Sequence, residues 1–170
     1  LLLNQRAKVI WFTGLSGAGK TTLARHLEER LFAQGFLVQI LDGDNIRSGI
    51  NSNLTFSEED REENIRRIAE VSKLFLNCGI VTINSFISPT ERMRQLAIDI
   101  IGEEDFIEVY VNAPLEVCEK RDVKGLYAKA RQAMADGKPM GFTGVDDPYE
   151  PPINPEITLK GYGATPEENA

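Results

Sequence analysis

Trp11-Phe12-Thr13-Gly14-Leu15-Ser16-Gly17-Ala18-Gly19-Lys20-Thr21-Thr22 is the stretch that decides the fold. Its first three residues close an apolar run from Lys8, which reads as a buried strand stopped by glycine. Gly14 to Thr21 fits the pattern G-x-x-x-x-G-K-[ST] without a gap. Helical spacing at Leu23, Leu27 and Leu31 follows, and Gly35 ends it. Strand, glycine loop and helix in that order make an anion cradle. The glycines let backbone N–H groups wrap phosphate oxygens, and the helix N-terminus adds a favourable dipole. Lys20 is placed to bridge the β- and γ-phosphates, and the Thr21 hydroxyl to hold Mg²⁺. Residues Gly14, Leu15, Ser16, Gly17, Ala18, Gly19, Lys20, Thr21 and Thr22 are therefore the candidate triphosphate site. The pattern specifies a nucleoside triphosphate and says nothing of a second substrate.

On either side of this stretch, strand and helix signals alternate. Strands are expected at Lys8–Thr13, Leu37–Leu41, Ile80–Ser85, Phe106–Val111 and, short and last, Pro155–Leu159. Helices are expected at Thr21–Gln34, from Ser57 to about Asn77, from Pro89 to about Ile101, and from Pro114 to Arg121. Such alternation predicts an α/β fold, a three-layer α/β/α sandwich with a mostly parallel central sheet. Ligands then belong beyond the carboxyl ends of the strands.

The 170 residues leave room for a single domain, 1–170, and a chain of this length buries roughly 70% of its unfolded surface without disulfide or structural metal. No run approaches about 20 apolar residues, which excludes a spanning helix. The net charge of −7 argues against a nucleic-acid binder, whose affinity comes from neutralising phosphates. Charge is nevertheless uneven. Lys120 to Lys138 carries six bases against two acids, a net +4 on a chain that is otherwise −11, which by itself fits either a solvated charged helix or a site for a small anionic ligand. The two cysteines, Cys78 and Cys118, lie in apolar patterns and read as buried thiols of a reduced, cytoplasmic chain. His26, the only histidine, reads as a surface residue. The opening Leu1-Leu2-Leu3-Asn4 lacks Met and a signal-peptide layout, and reads as the start of an excised piece. Ala164–Ala170 reads as the beginning of a helix that continues past the last residue.

The second-substrate side is read from three places. Asp42-Gly43-Asp44 ends the second strand, so its carboxylates should face the phosphate loop. Asp44 is the candidate to accept a proton from an acceptor hydroxyl and to help hold Mg²⁺. Arg47 adds a positive charge. In the helix from Ser57, the apolar stripe Ile65, Ile68, Ala69, Ser72, Phe75, Leu76 extends backwards to Asn64 and Arg61. Burying an unpaired guanidinium is expensive, so the stripe should open there into a polar cavity holding an anion. A pairing of Arg61 with a core carboxylate is the alternative. Phe56, before the N-cap Ser57, faces no apolar staple partner, and Phe142 lies between glycines; each alone reads as a surface plug or a stacker, and the two together could sandwich a planar ring. Ser88 could cap the helix that Pro89 opens.

Together these residues resemble the adenylylsulfate kinase family. The matching stretches are WFTGLSGAGKTTLA, LDGDNIR, FSEEDREENIRRIAEV, SFISP, FIEVYVNAPLEVCEKRD, KGLYAKAR and GFTGVDDPYE, in that order, from Val9 to Pro155. The resemblance implies transfer of the ATP γ-phosphoryl group to the ribose 3′-hydroxyl of adenosine 5′-phosphosulfate, with Mg²⁺, in sulfate activation. It implies that Arg47, Arg61 and Asn64 hold the phosphosulfate and ribose, that Phe56 and Phe142 enclose the adenine, and that Ile87 and Ser88 border the sugar. Arg121, on the ATP side, and Lys124, on the acceptor side, belong to a segment resembling a mobile lid over about 121–144. Asp44 matches the family's base and Mg²⁺ partner, and Lys20 its phosphate lysine. The serine matching Ser88 is phosphorylated in some members, but direct in-line transfer is the expectation here. A homodimer is implied, and the chain could be one part of a larger bifunctional sulfate-activating protein. The sequence departs from the family between Arg47 and Phe56, where the usual histidine and Lys-Asp pair are missing and Thr55 replaces glycine. Thr90 replaces a frequent aromatic, and Gln132–Met140 is longer than in many relatives.

Overall fold

The computed structural model describes residues 3–170; Leu1 and Leu2, part of the opening read above as excised, lie outside them. Among the described residues five strands form one sheet in the order β2-β3-β1-β4-β5, with β1 Val9–Thr13, β2 Val38–Asp42, β3 Val81–Ser85, β4 Phe106–Asn112 and β5 Ile157–Lys160. All four pairings are parallel, which firms up the expectation of a mostly parallel sheet. The helices are α1 Lys20–Ala33, α2 Gly43–Ser48, α3 Glu58–Asn77, α4 Glu91–Ile101, α5 Leu115–Arg121, α6 Leu126–Ala135 and α7 Pro166–Asn169. Among the described residues no helix is long and apolar enough to cross a membrane.

Alternation along β1 splits the core in two. Val9 and Trp11 face α3 and α4 with Ile65, Ile68, Met93, Ala97 and Ile101. Phe12 faces the other way, toward Leu23 and Ala24 of α1 and Cys118 of α5. Trp11 is fully buried, with the rings of Phe106 and Phe86 centred 5.7 and 5.9 Å away. Helices therefore cover both faces. The crossover out of β1 runs toward β2, whereas those out of its neighbours β3 and β4 run the other way along the sheet, and the crevice they open lies at the carboxyl end of β1.

Local details correct the sequence reading. Cys78 is exposed at the end of α3, whereas Cys118 is buried as expected. The cap of α4 is Thr90, whose side chain accepts the Met93 N–H, so Ser88 is not the N-cap and Pro89 precedes the helix. Asp42 is drawn into a cap as well: its carboxylate accepts the N–H groups of Asp44 and Asn45 and starts the short α2. The 58–77 helix forms as read, with Ser57 accepting the Asp60 N–H and Asn64, Ile65, Ile68, Ala69 and Ser72 buried. On its outer face Glu63 pairs with Arg67, four residues on, at 2.8 Å, and Glu62 binds Arg92 of α4.

Candidate active site

The loop between β1 and α1 has its shape because three of its residues are glycine. Gly14, at φ 154°, would put a Cβ 2.7 Å from the Val111 carbonyl, so any side chain there collides with β4. Gly19 takes φ 105° to start α1. Lys20 is buried inside the loop, its Nζ donating to the Gly14 and Leu15 carbonyls at 2.9 and 2.8 Å. Two carbonyls are a weak substitute for an anion, and burial pulls the ammonium down to a pKa of about 8. The Thr21 hydroxyl lies 3.3 Å from that of Ser85, at the tip of β3.

A cavity of about 620 Å³ opens from this loop across the strand tips. That volume suits nucleotide-sized ligands. It gathers Ser16–Thr22, Asp44, Arg47, Phe56, Arg61, Asn64, Ile87, Ser88, Arg121, Lys124 and Phe142. Of the candidate residues only Gly14 and Leu15 are not on its wall; they pack back against β4 and the core.

On the acceptor side, Asp44 stands on α2 with its carboxylate largely exposed, and Lys124 Nζ donates to both oxygens at 2.8 and 2.7 Å. Arg47 lies over the Phe56 ring, 4.2 Å from its centroid, and donates to the Thr55 carbonyl. Phe56, expected to be free for stacking, is thus already covered on one face. Arg61 combines both readings offered for it. It lines the cavity, and its Nη1 pairs with Asp147 at 2.7 Å, but that carboxylate comes from the loop beyond Phe142 and not from the core. Its Nε is buried without a hydrogen-bond partner among the described residues. Phe142 packs edge-on against Tyr127, with centroids 5.0 Å apart.

The Ser88 hydroxyl is turned into the protein. It accepts the Trp11 indole N–H at 3.0 Å and donates to the Phe86 carbonyl, with the residue at φ 42° and buried. Arg121 ties the phosphate loop to the end of β5, donating to the Gly17 and Gly161 carbonyls at 3.0 and 2.6 Å. The segment from 121 to 144 is anchored at several points. Asp122 caps α6 through Tyr127 and Ala128, and the Tyr127 hydroxyl donates to the Ser16 carbonyl at 2.6 Å.

Three positions escaped the sequence reading. Asp147 sits within a stretch quoted above, but its partner is far away in sequence. Asn51 is completely buried although the polar stretch around it carries no apolar periodicity. Arg94, wholly buried, ties two neighbouring segments together: it donates to the Ser88 carbonyl at 2.7 Å and the Glu150 carbonyl at 2.6 Å. Arg94 belongs to the buried stripe of α4 with Met93, Ala97 and Ile101, as Arg61 extends that of α3, and the helical spacing is its sequence signal.

The adenylylsulphate kinase family profile matches residues 6–160. The adenylyl-sulfate kinase of Bacteroides thetaiotaomicron is 59% identical over 168 residues, covering 99% of this chain and 82% of that protein. That of Halothermothrix orenii is 57% identical, covering 98% and 87%. The structure of the Mycobacterium tuberculosis APS kinase in complex with AMPPNP and APS superposes with a TM-score of 0.89 at 43% identity, covering 96% of this chain and 93% of that one.

Proposed function

The chain belongs to the adenylylsulfate kinase family, and from that premise we propose how its cavity carries out the reaction. It is an adenylyl-sulfate kinase: it transfers the γ-phosphoryl group of ATP to the 3′-hydroxyl of adenosine 5′-phosphosulfate, releasing ADP and the 3′-phosphorylated product. The observation that carries the assignment of roles is that Lys20 at one end and Arg61 with Asn64 at the other share one cavity.

In this reading residues 14–22 and Arg121 hold ATP. The Lys20 ammonium, now satisfied only by carbonyls, moves onto the phosphates and steadies the charge that develops in transfer. Arg47, Arg61, Asn64, Phe56, Phe142, Ile87, Ser88 and Lys124 hold the acceptor. Asp44 receives the 3′-hydroxyl proton as the oxygen attacks phosphorus in line and ADP departs. Lys124 and Asp147 occupy Asp44 and Arg61 in this structure, so the proposed lid, 121–144, has to release the first pair as substrates enter. The inward bonding of the Ser88 hydroxyl favours a role as wall and supports direct transfer over a phosphoserine.

The donor set fits Mg²⁺. Thr21, Ser85, Asp42 and Asp44 offer hard oxygens around the same crevice, and Mg²⁺ bound with phosphates needs only one or two protein ligands. Thr21 and Asp44 would hold it, and it would neutralise charge on the phosphates. Two free cysteines suit the reducing, ATP-rich cytoplasm that we propose as the setting. The homodimer and the larger bifunctional protein rest on the family resemblance alone.

The test is ADP release by the purified protein with Mg-ATP and a panel of acceptors. Turnover is expected with adenosine 5′-phosphosulfate and at least about 100-fold less with AMP or with a sugar, since the buried anion contacts then go unfilled. Turnover confined to AMP would overturn the acceptor assignment, and ATP binding without turnover on any acceptor would point to a nucleotide sensor.

A further inference from the structure

Asn51 is completely buried and belongs to the 48–55 loop, where the chain departs from its family. Its amide lies between groups whose hydrogen-bonding polarity is fixed. Arg67 can only donate, and its Nη1 is 3.5 Å from Asn51 Oδ1. That contact is long, but Arg67 is held in place by Glu63 at 2.8 Å and Asn53 Oδ1 at 2.9 Å. On the other side the Asn64 main-chain carbonyl can only accept, and it lies 3.5 Å from Asn51 Nδ2. Both neighbours therefore direct the Asn51 oxygen toward Arg67 and its nitrogen toward Asn64. Asn51 Nδ2 then donates to Asn64 Oδ1 at 2.9 Å. With that oxygen committed, Asn64 is left with its Nδ2 to offer to the cavity it lines.

We propose that Asn51 is a positioning residue for the acceptor site: it locks the Asn64 amide with its N–H groups outward, so that the site presents a donor to an oxygen of the bound adenosine 5′-phosphosulfate. A free amide can rotate to suit either a donor or an acceptor, whereas this relay from Arg67 removes the choice. The inference rests on the reading that Asn64 contacts the acceptor.

The experiment measures KM for adenosine 5′-phosphosulfate and for ATP separately in wild type, Asn64→Ala, Asn51→Asp and the double variant. Asn51→Asp keeps size and shape, but its carboxylate can only accept. It draws Asn64 Nδ2 inward and turns Oδ1 toward the substrate oxygen. The acceptor KM is expected to rise about tenfold or more, with the ATP KM within about twofold. In the Asn64→Ala background the same change should add less than about twofold. A merely structural role gives neither the split between substrates nor the loss of additivity. An unchanged acceptor KM in Asn51→Asp, beside a raised one in Asn64→Ala, overturns the proposal and leaves the Asn64 assignment standing. An unchanged KM in Asn64→Ala removes Asn64 from the acceptor site and the proposal with it. Should Asn51→Asp fail to fold, Asn51→Leu frees the Asn64 amide to rotate. A rise of about threefold is expected there, and no change overturns the proposal.

Discussion

Asp44→Asn is expected to lower kcat about 100-fold or more while ATP affinity stays within about threefold. The substitution keeps the volume of the side chain. It leaves α2 intact, because the cap of that helix is the Asp42 carboxylate. What it removes is a proton acceptor at the mouth of the cavity and the negative charge, though not the ligating oxygen, offered there to Mg²⁺. The Lys20 loop, which holds the triphosphate in the proposed reading, is not touched by the change. The Lys124 ammonium can still donate to an amide oxygen at position 44, so the lid contact weakens without vanishing. An acceptor hydroxyl that cannot pass on its proton attacks poorly even when well placed, and the loss should appear in kcat. Near-normal kcat in this variant would take Asp44 out of the chemistry.

The second large effect belongs to Arg61→Ala. Its guanidinium lines the cavity from α3, with Nε buried and unpartnered among the described residues and Nη1 on Asp147. Charge-assisted hydrogen bonds to a bound anion contribute about 1.5–3 kcal/mol, so acceptor KM should rise by about 10- to 100-fold. ATP KM should hold within about threefold, because the contacts proposed for ATP come from residues 14–22 and Arg121. The Asp147 contact is also lost, which frees the 141–147 loop but leaves its own anchor, Asp146 accepting the Gly141 and Phe142 N–H groups. Equal losses for both substrates would contradict the placement of Arg61.

How much of this was legible in sequence follows from how far apart the interacting groups lie. The phosphate loop is entirely local: strand, glycines, lysine and helix are contiguous, so their pattern carries the geometry with it. The α3 stripe is equally local, and its backward extension reaches Arg61 and Asn64, both on the cavity wall. Contacts closed by the tertiary fold left no such mark. Lys124 meets Asp44 across 80 residues, and nothing in either neighbourhood names the other. Asp147 on Arg61, Tyr127 on the Ser16 carbonyl and Arg94 on Glu150 are of the same kind. Where two local signals competed, the choice went astray. Ser88 and Thr90 are both good caps, but the left-handed backbone at Ser88 and its bond to Trp11 take it out of the helix start. Cys78 sits in an apolar pattern yet at a helix end, where the chain turns toward solvent.

The claim on which the rest depends is that one crevice at the carboxyl ends of the strands holds both nucleotides. A crystal structure of this chain with a non-hydrolysable ATP analogue and adenosine 5′-phosphosulfate tests it most directly. The triphosphate should lie on Lys20 and the phosphosulfate on Arg61, with Lys124 released from Asp44 and the 3′-hydroxyl beside that carboxylate. An acceptor bound on another face, or one whose 3′-hydroxyl points away from the γ-phosphate with Lys124 still on Asp44, would contradict it.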